Sequence, residues 1–255
     1  MIFNASSIAV IGLSTILLTA VKIGCQNKDL KSGVNWNDSA DRFDKNNPTA
    51  DFNGAASLRP AEIEQRKRRE TKYIEHSHQI DEADEWSLNT LVSHMQPPSG
   101  FPIPQSDLIV VGRVRDARAV ISSDKTAGYS EFVVTVSNVL FSPKKVVLTG
   151  SEIVIERMGG NVRFPSGRVV TRGIGHQPLP RKDKTYVLFL KWDERGEDYL
   201  IVTGYEIYAE TIRPLDGTPD PLFEEYNRFR LVTKDAFCKQ LKVAISKAVR
   251  EKKVI

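Results

Sequence analysis

The chain has 255 residues, of which 40% are apolar and 27% charged, with a formal net charge of +4. That is enough for one large domain or one domain with extensions, and it excludes a chain disordered throughout. Two cysteines, Cys25 and Cys238, cannot build a disulfide framework. With four histidines at no metal-ligand spacing they also argue against a structural zinc site, and no cofactor is expected. The mild positive charge is compatible with nucleic acid, anionic lipid or acidic polysaccharide, and equally with no such partner.

Residues 1–25 read as a signal peptide or membrane anchor. Ile8 to Val21 is an apolar run of 14 residues, which fits a signal-peptide core and falls short of the ~20 residues a spanning helix needs. Leu18-Thr19-Ala20 forms a cleavage site, although Met1 to Ser7 carries no Lys or Arg. Gly24-Cys25 resembles the end of a bacterial lipobox, which makes Cys25 a candidate for lipidation; Lys22 stands where a lipobox has Leu. An uncleaved anchor and a buried helix are the alternatives. Residues 26–60 are rich in Asn, Asp, Lys, Ser and Gly and are expected to form a disordered spacer. Residues 61–96 form a charged helical segment, opened by Pro60 and carrying Arg66-Lys67-Arg68-Arg69 interleaved with Glu62, Glu64 and Glu70. That basic run is either a contact for an anionic surface or a solvated face. A second short helix is expected over Asp81 to Met95.

Pro97 to Pro104 marks an extended boundary, and residues 105–215 follow as a strand-rich domain. Leu108, Val110, Gly112 and Val114 alternate with Val111 and Arg113, but the apolar parity flips before Ala117. In a period-two strand such a flip calls for a bulge or bend. Glu131 to Phe141 and Glu152 to Met158 are further strands. Thr185 to Trp192 is the most apolar run after the leader, and its loss of alternation predicts a central strand covered on both faces. Tyr199 to Val202 and Tyr205 to Arg213 complete the set. Residues 222–253 are read as a C-terminal amphipathic helix packed on the barrel, its stripe at Phe237, Leu241, Ile245 and Val249.

The fold class expected from these elements is mainly β: a small antiparallel OB-like barrel of five to six strands, with a C-terminal helix and short N-terminal helices. The segments Ser106 to Val114, Phe132 to Leu140, Tyr186 to Leu190 and Gly204-Tyr205 resemble a class of uncharacterised exported bacterial proteins of acidobacterial type. Their pattern is similar to barrels of the netrin-module and metalloproteinase-inhibitor type. The resemblance implies the fold and export. It does not carry over zinc chelation by an N-terminal cysteine, because Cys25 lies about 80 residues before the first barrel strand.

Function is expected in the basic loop 159–184. Arg157, Arg163, Arg168, Arg172, Arg181, Lys182 and Lys184 fall within 28 residues, opposed only by Asp183. The candidate ligand-binding residues are Arg163, Arg168, Arg172, His176, Arg181 and Lys182; no catalytic or metal-binding residue is assigned. The expected role is a non-enzymatic binding module, exported or envelope-associated, for an anionic envelope polymer or another envelope protein. Contact with the membrane would run only through the N-terminal segment. The alternatives are a hydrolase using His176 and a single-stranded nucleic-acid binder stacking bases on Phe164, Tyr186 and Trp192. Export argues against the latter.

Overall fold

The computed structural model describes residues 45–54, 60–74, 80–82, 100–143, 147–173, 177–216 and 228–252. The expected leader with Cys25, most of the second charged helix, and all four histidines including His176 lie outside them.

Five strands close a barrel. β2 (Leu108–Ile121) pairs with β3 (Gly128–Phe141) along its length and with β6 (Thr185–Asp193) over Leu108 to Arg113. β3 pairs with β4 (Glu152–Arg163), and β6 with β7 (Asp198–Tyr208). The ring is completed where β4 meets β7, at Ile155 opposite Tyr199 and Glu156 opposite Leu200. β8 (Thr211–Pro214) extends the sheet beyond β7.

The sheet is mixed, which corrects the expectation of an antiparallel barrel. Four successive antiparallel pairings leave β4 and β7 pointing the same way, so the closing pair is parallel. A ring of five strands cannot alternate direction all the way round.

The expected bulge in the first barrel strand is present. The β2–β3 register shifts between Val114 and Asp116, and Ala117 then packs against the same interior as Val114. β6 has apolar cover on both sides. Tyr186, Leu188 and Leu190 enter the barrel interior with Phe132, Val134 and Ile155, while Val187 and Phe189 face an outer core. That outer core is built by Phe101, Tyr205, Phe229 and Phe237, whose rings lie 4.5–6.3 Å apart. The C-terminal part of the predicted boundary segment is thus packed rather than linker-like. Tyr205 Oη donates to the Gly100 carbonyl and pins it.

The C-terminal helix, α2, spans Lys234–Lys252 and starts later than the predicted 222. Thr233 Oγ1 accepts from the Ala236 N–H, and Asp235 stands in the first turn, so the start is capped in the usual chemical way. The apolar stripe docks only in part. Phe237 and Leu241 are buried, Ile245 is partly so, and Val249 is 37% exposed.

β4 runs past the barrel. At Gly159 and Gly160 its φ values are 115° and 149°. From there it pairs with β5 (Val169–Gly173) on one side and with β1 (Thr49–Asp51) on the other. Two expectations change here. Thr49 to Asp51 lies inside the predicted spacer yet forms a strand, because edge pairing uses backbone groups and asks little of side chains. Residues 159–173 of the predicted basic loop form a β-hairpin. A Cβ at Gly159 would meet the Arg172 carbonyl oxygen at 2.9 Å and Gly173 Cα at 3.0 Å. Gly159→Ala is therefore expected to cost about 1–3 kcal/mol. A urea unfolding midpoint equal to that of the wild type would contradict this.

α1 (Pro60–Ile74) lies against the outer face of β2, β3 and β4. Tyr73 stacks on Tyr129 with ring centroids 5.1 Å apart, beside Val120, Ala127 and Met158.

Candidate functional site

The predicted cations are held on different supports. Arg157 does not reach the surface. Its Nη1 and Nη2 donate to Asp216 Oδ1 and Oδ2 at 2.7 and 2.8 Å, and Nη1 also donates to the Pro178 carbonyl. Arg163 and Arg168 flank the exposed turn of the β4–β5 hairpin. There the Phe164 N–H donates to the Arg168 carbonyl, the Gly167 N–H donates to the Phe164 carbonyl, and Gly167 takes a φ of 89°. Arg163 lies 3.6 Å from Asp51. Arg172 is half-buried in β5, opposite Gly160.

Arg181, Lys182 and Lys184 belong to a second group, the strap 177–184. The Asp183 N–H donates to the Val114 carbonyl, which ties the strap to the β2 bulge. The Arg181 N–H donates to Tyr186 Oη, Lys182 pairs with Asp116 at 3.1 Å, and Lys184 lies 3.9 Å from Glu206. The hairpin turn contacts β1; the strap contacts β2, β6 and β7.

The base-stacking platforms expected for nucleic acid are not available. Phe164 and Tyr186 are buried, and Trp192 is partly buried against the barrel core. Phe164 instead stacks on Phe52 at 4.7 Å over Val162, Ile80 and Val170, giving the hairpin an apolar base.

The most concentrated chemistry lies elsewhere, under α1. The outer face of the sheet carries Arg118, Glu131 and Glu156 as successive cross-strand neighbours on β2, β3 and β4. Two acids side by side in one row repel unless cations cover them. Arg118 Nε donates to Glu131 Oε2 at 2.5 Å. From α1, Arg69 Nη1 donates to Glu131 Oε1 at 2.8 Å, and its Nε stands 2.8 Å from Asp198 Oδ2 while donating to the Gly196 carbonyl. Lys72 reaches Glu156, Asp193 (2.9 Å) and Asp198 (3.4 Å). Tyr73 Oη donates to Glu156 Oε1 at 2.7 Å. Glu131, Glu156 and Asp198 are all buried, as is Arg69 at 5% exposure.

Burial shapes the titration of this cluster. The Glu156 carboxyl is pushed up to about 8, chiefly by loss of hydration and further by Asp198, against the pull of Lys72. Burial works against the charge of Lys72, but Glu156, Asp193 and Asp198 together hold its pKa above the usual value. Burial would raise Asp193, and the Lys72 ammonium overrides it and keeps the carboxyl low. Tyr73 is raised well above the usual phenol value by burial and by Glu156.

The sequence reading missed this cluster. The available signal was the i, i+3, i+4 spacing of Arg69, Lys72 and Tyr73, which puts a cation pair and an aromatic ring on one helix face. Among the described residues, no group of three or more His, Cys, Asp or Glu is placed to hold a metal ion. Among the described residues, no helix is long and apolar enough to cross a membrane. Comparison of the chain with protein-family models and with curated proteins gives no match.

Proposed function

We propose that the chain is an exported or envelope-associated binding module, not an enzyme, and that its barrel is of the OB-like type. Support for the barrel type comes from the ring order β4-β3-β2-β6-β7, its parallel closing pair and its bent first strand. OB-type barrels bind extended polymers with strand faces and adjacent loops.

The contact surface in this reading is the turn of the β4–β5 hairpin, and the partner is an anionic polymer of the envelope. One observation carries it: Arg163 and Arg168 are both exposed on a turn whose backbone is hydrogen-bonded and whose base is the Phe164–Phe52 stack. A preorganised turn loses little conformational freedom on binding, so modest charge suffices. The strap residues Arg181 and Lys182 extend the positive field without sharing the hairpin's contacts.

The test is retention of the full chain on an immobilised acidic polysaccharide at low salt. Arg163→Glu with Arg168→Glu is expected to abolish retention, while the unfolding midpoint moves by no more than about 0.5 kcal/mol. Wild-type retention should also fall as salt rises through 0.15 M, where exposed charges are screened beyond ~8 Å. Undiminished retention of the double variant would overturn the reading.

A further inference from the structure

We propose that Glu156 and Asp198 hold one proton between them, and that this proton makes α1 a latch that opens as pH rises. The geometry is specific. Both side chains are inaccessible to solvent, and both are contacted by the Lys72 ammonium. Glu156 Oε2 has no donor, and Asp198 Oδ2 faces the Arg69 Nε at 2.8 Å, whose N–H is directed to the Gly196 carbonyl. A fully buried carboxylate oxygen without a donor, as at Glu156, is unfavourable as an anion. A proton on Glu156 removes that anion and gives the carboxyl a donor for Asp198, its side-chain hydrogen-bond neighbour.

The charge balance agrees. The cluster opposes Glu131, Glu156, Asp193 and Asp198 with Arg69, Lys72 and Arg118. One bound proton brings four carboxylates and three cations to neutrality. The raised Glu156 carboxyl is consistent with that proton.

The groups facing Glu156 come from every neighbouring element. α1 supplies Arg69, Lys72 and Tyr73; β3 supplies Glu131 and Tyr129; β6 and β7 supply Asp193 and Asp198. Asp193 is held low, so its contribution is lost only in acid. Lys72, Arg69 and the two tyrosines are raised above their usual basic values, so theirs is lost only in strong alkali. Glu156 is raised into the range between these limits. Its folded-state pKa is raised from about 4.5 to about 8, so the docking it favours is complete below pH 4.5 and is lost as pH climbs to 8. The ionised pair then repels across the site, and α1 opens to let water reach both carboxylates.

The experiment is hydrogen exchange of the full chain at pH 6, 7 and 8, corrected for the intrinsic rate. The opening constant of the α1 amides is expected to rise at least 10-fold across that range, with the amides of β2 and β6 unaffected. Glu156→Gln keeps a neutral donor beside Asp198, and Asp198→Asn removes the second charge. Each should flatten the α1 response and leave α1 docked at pH 8. A flat response in the wild type would overturn the proposal. So would an undiminished pH response in whichever variant folds.

Discussion

Arg69→Ala is expected to free α1 from the barrel. Arg69 is buried between Glu131 and Asp198, and removing it leaves Glu131 only the half-exposed Arg118 and Asp198 only the more distant Lys72 among the described residues. Breaking a buried pair by deleting one partner typically costs about 3–5 kcal/mol. What remains on α1 is Tyr73 packed on Tyr129 and its neighbours, the Lys72 and Tyr73 contacts to the acids, and Glu70 accepting from Ser123, while Ile63 is exposed. The cost therefore falls on docking of the helix, because undocking rehydrates the acids. Exchange protection should vanish in α1 and persist in β2 and β6. The neighbouring Lys67 serves as a control. It pairs with Glu64 at 3.0 Å in the open, and Lys67→Ala should cost under about 1 kcal/mol. A protected α1 in Arg69→Ala would show that the helix is held by something other than this cluster.

Phe237→Ala acts on a separate core and should lower global stability. The ring is fully buried and packs 4.8 Å from Tyr205 and 5.3 Å from both Phe101 and Phe229. Truncating a core Phe typically costs about 3–5 kcal/mol, part transfer energy and part cavity. For a chain of this size that is a fall in melting temperature of roughly 6–20 °C. The effect spreads, because the same rings cover Phe189 on β6 and position Gly100 through Tyr205. Val249→Ala on the same helix should be nearly silent, since that residue is already exposed. A melting temperature within 2 °C of wild type for Phe237→Ala, measured by calorimetry, would place α2 outside the cooperative unit.

The parts of the fold legible in the sequence were those written in local periodicity. The parity flip between Val114 and Ala117 marked the bulge, and the unbroken run Tyr186 to Leu190 marked a strand buried on both faces. The stripe of Phe237 and Leu241 marked the docked helix. Features that depended on distant chain were not legible. Gly159 and Gly160 open the stretch expected to be a basic loop, whereas they lead β4 out of the barrel into a second set of pairings. Thr49 to Asp51 read as spacer because strand addition at an edge leaves no apolar signature.

The charge cluster was hidden for the same reason. Glu131 and Glu156 sit at the outward parity of their strands, where acids are ordinarily solvated. Only the arrival of α1, more than fifty residues earlier in the chain, turns that outward face into an interior. Of the predicted binding residues, Arg163 and Arg168 share one hairpin turn, while Arg181 and Lys182 sit on a strap fixed by Tyr186 and Asp116. Spacing in sequence could not separate the two groups, because it says nothing about which strand each segment lies against.

The most direct measurement is a carbon-13 NMR titration of the Glu156 carboxyl in the full chain, assigned with Glu156→Gln. A buried, proton-sharing Glu156 predicts a midpoint near 8. A midpoint near 4.5, the value of an ordinary solvated carboxyl, would mean that α1 does not enclose this site, and the account of the charge cluster would fail with it.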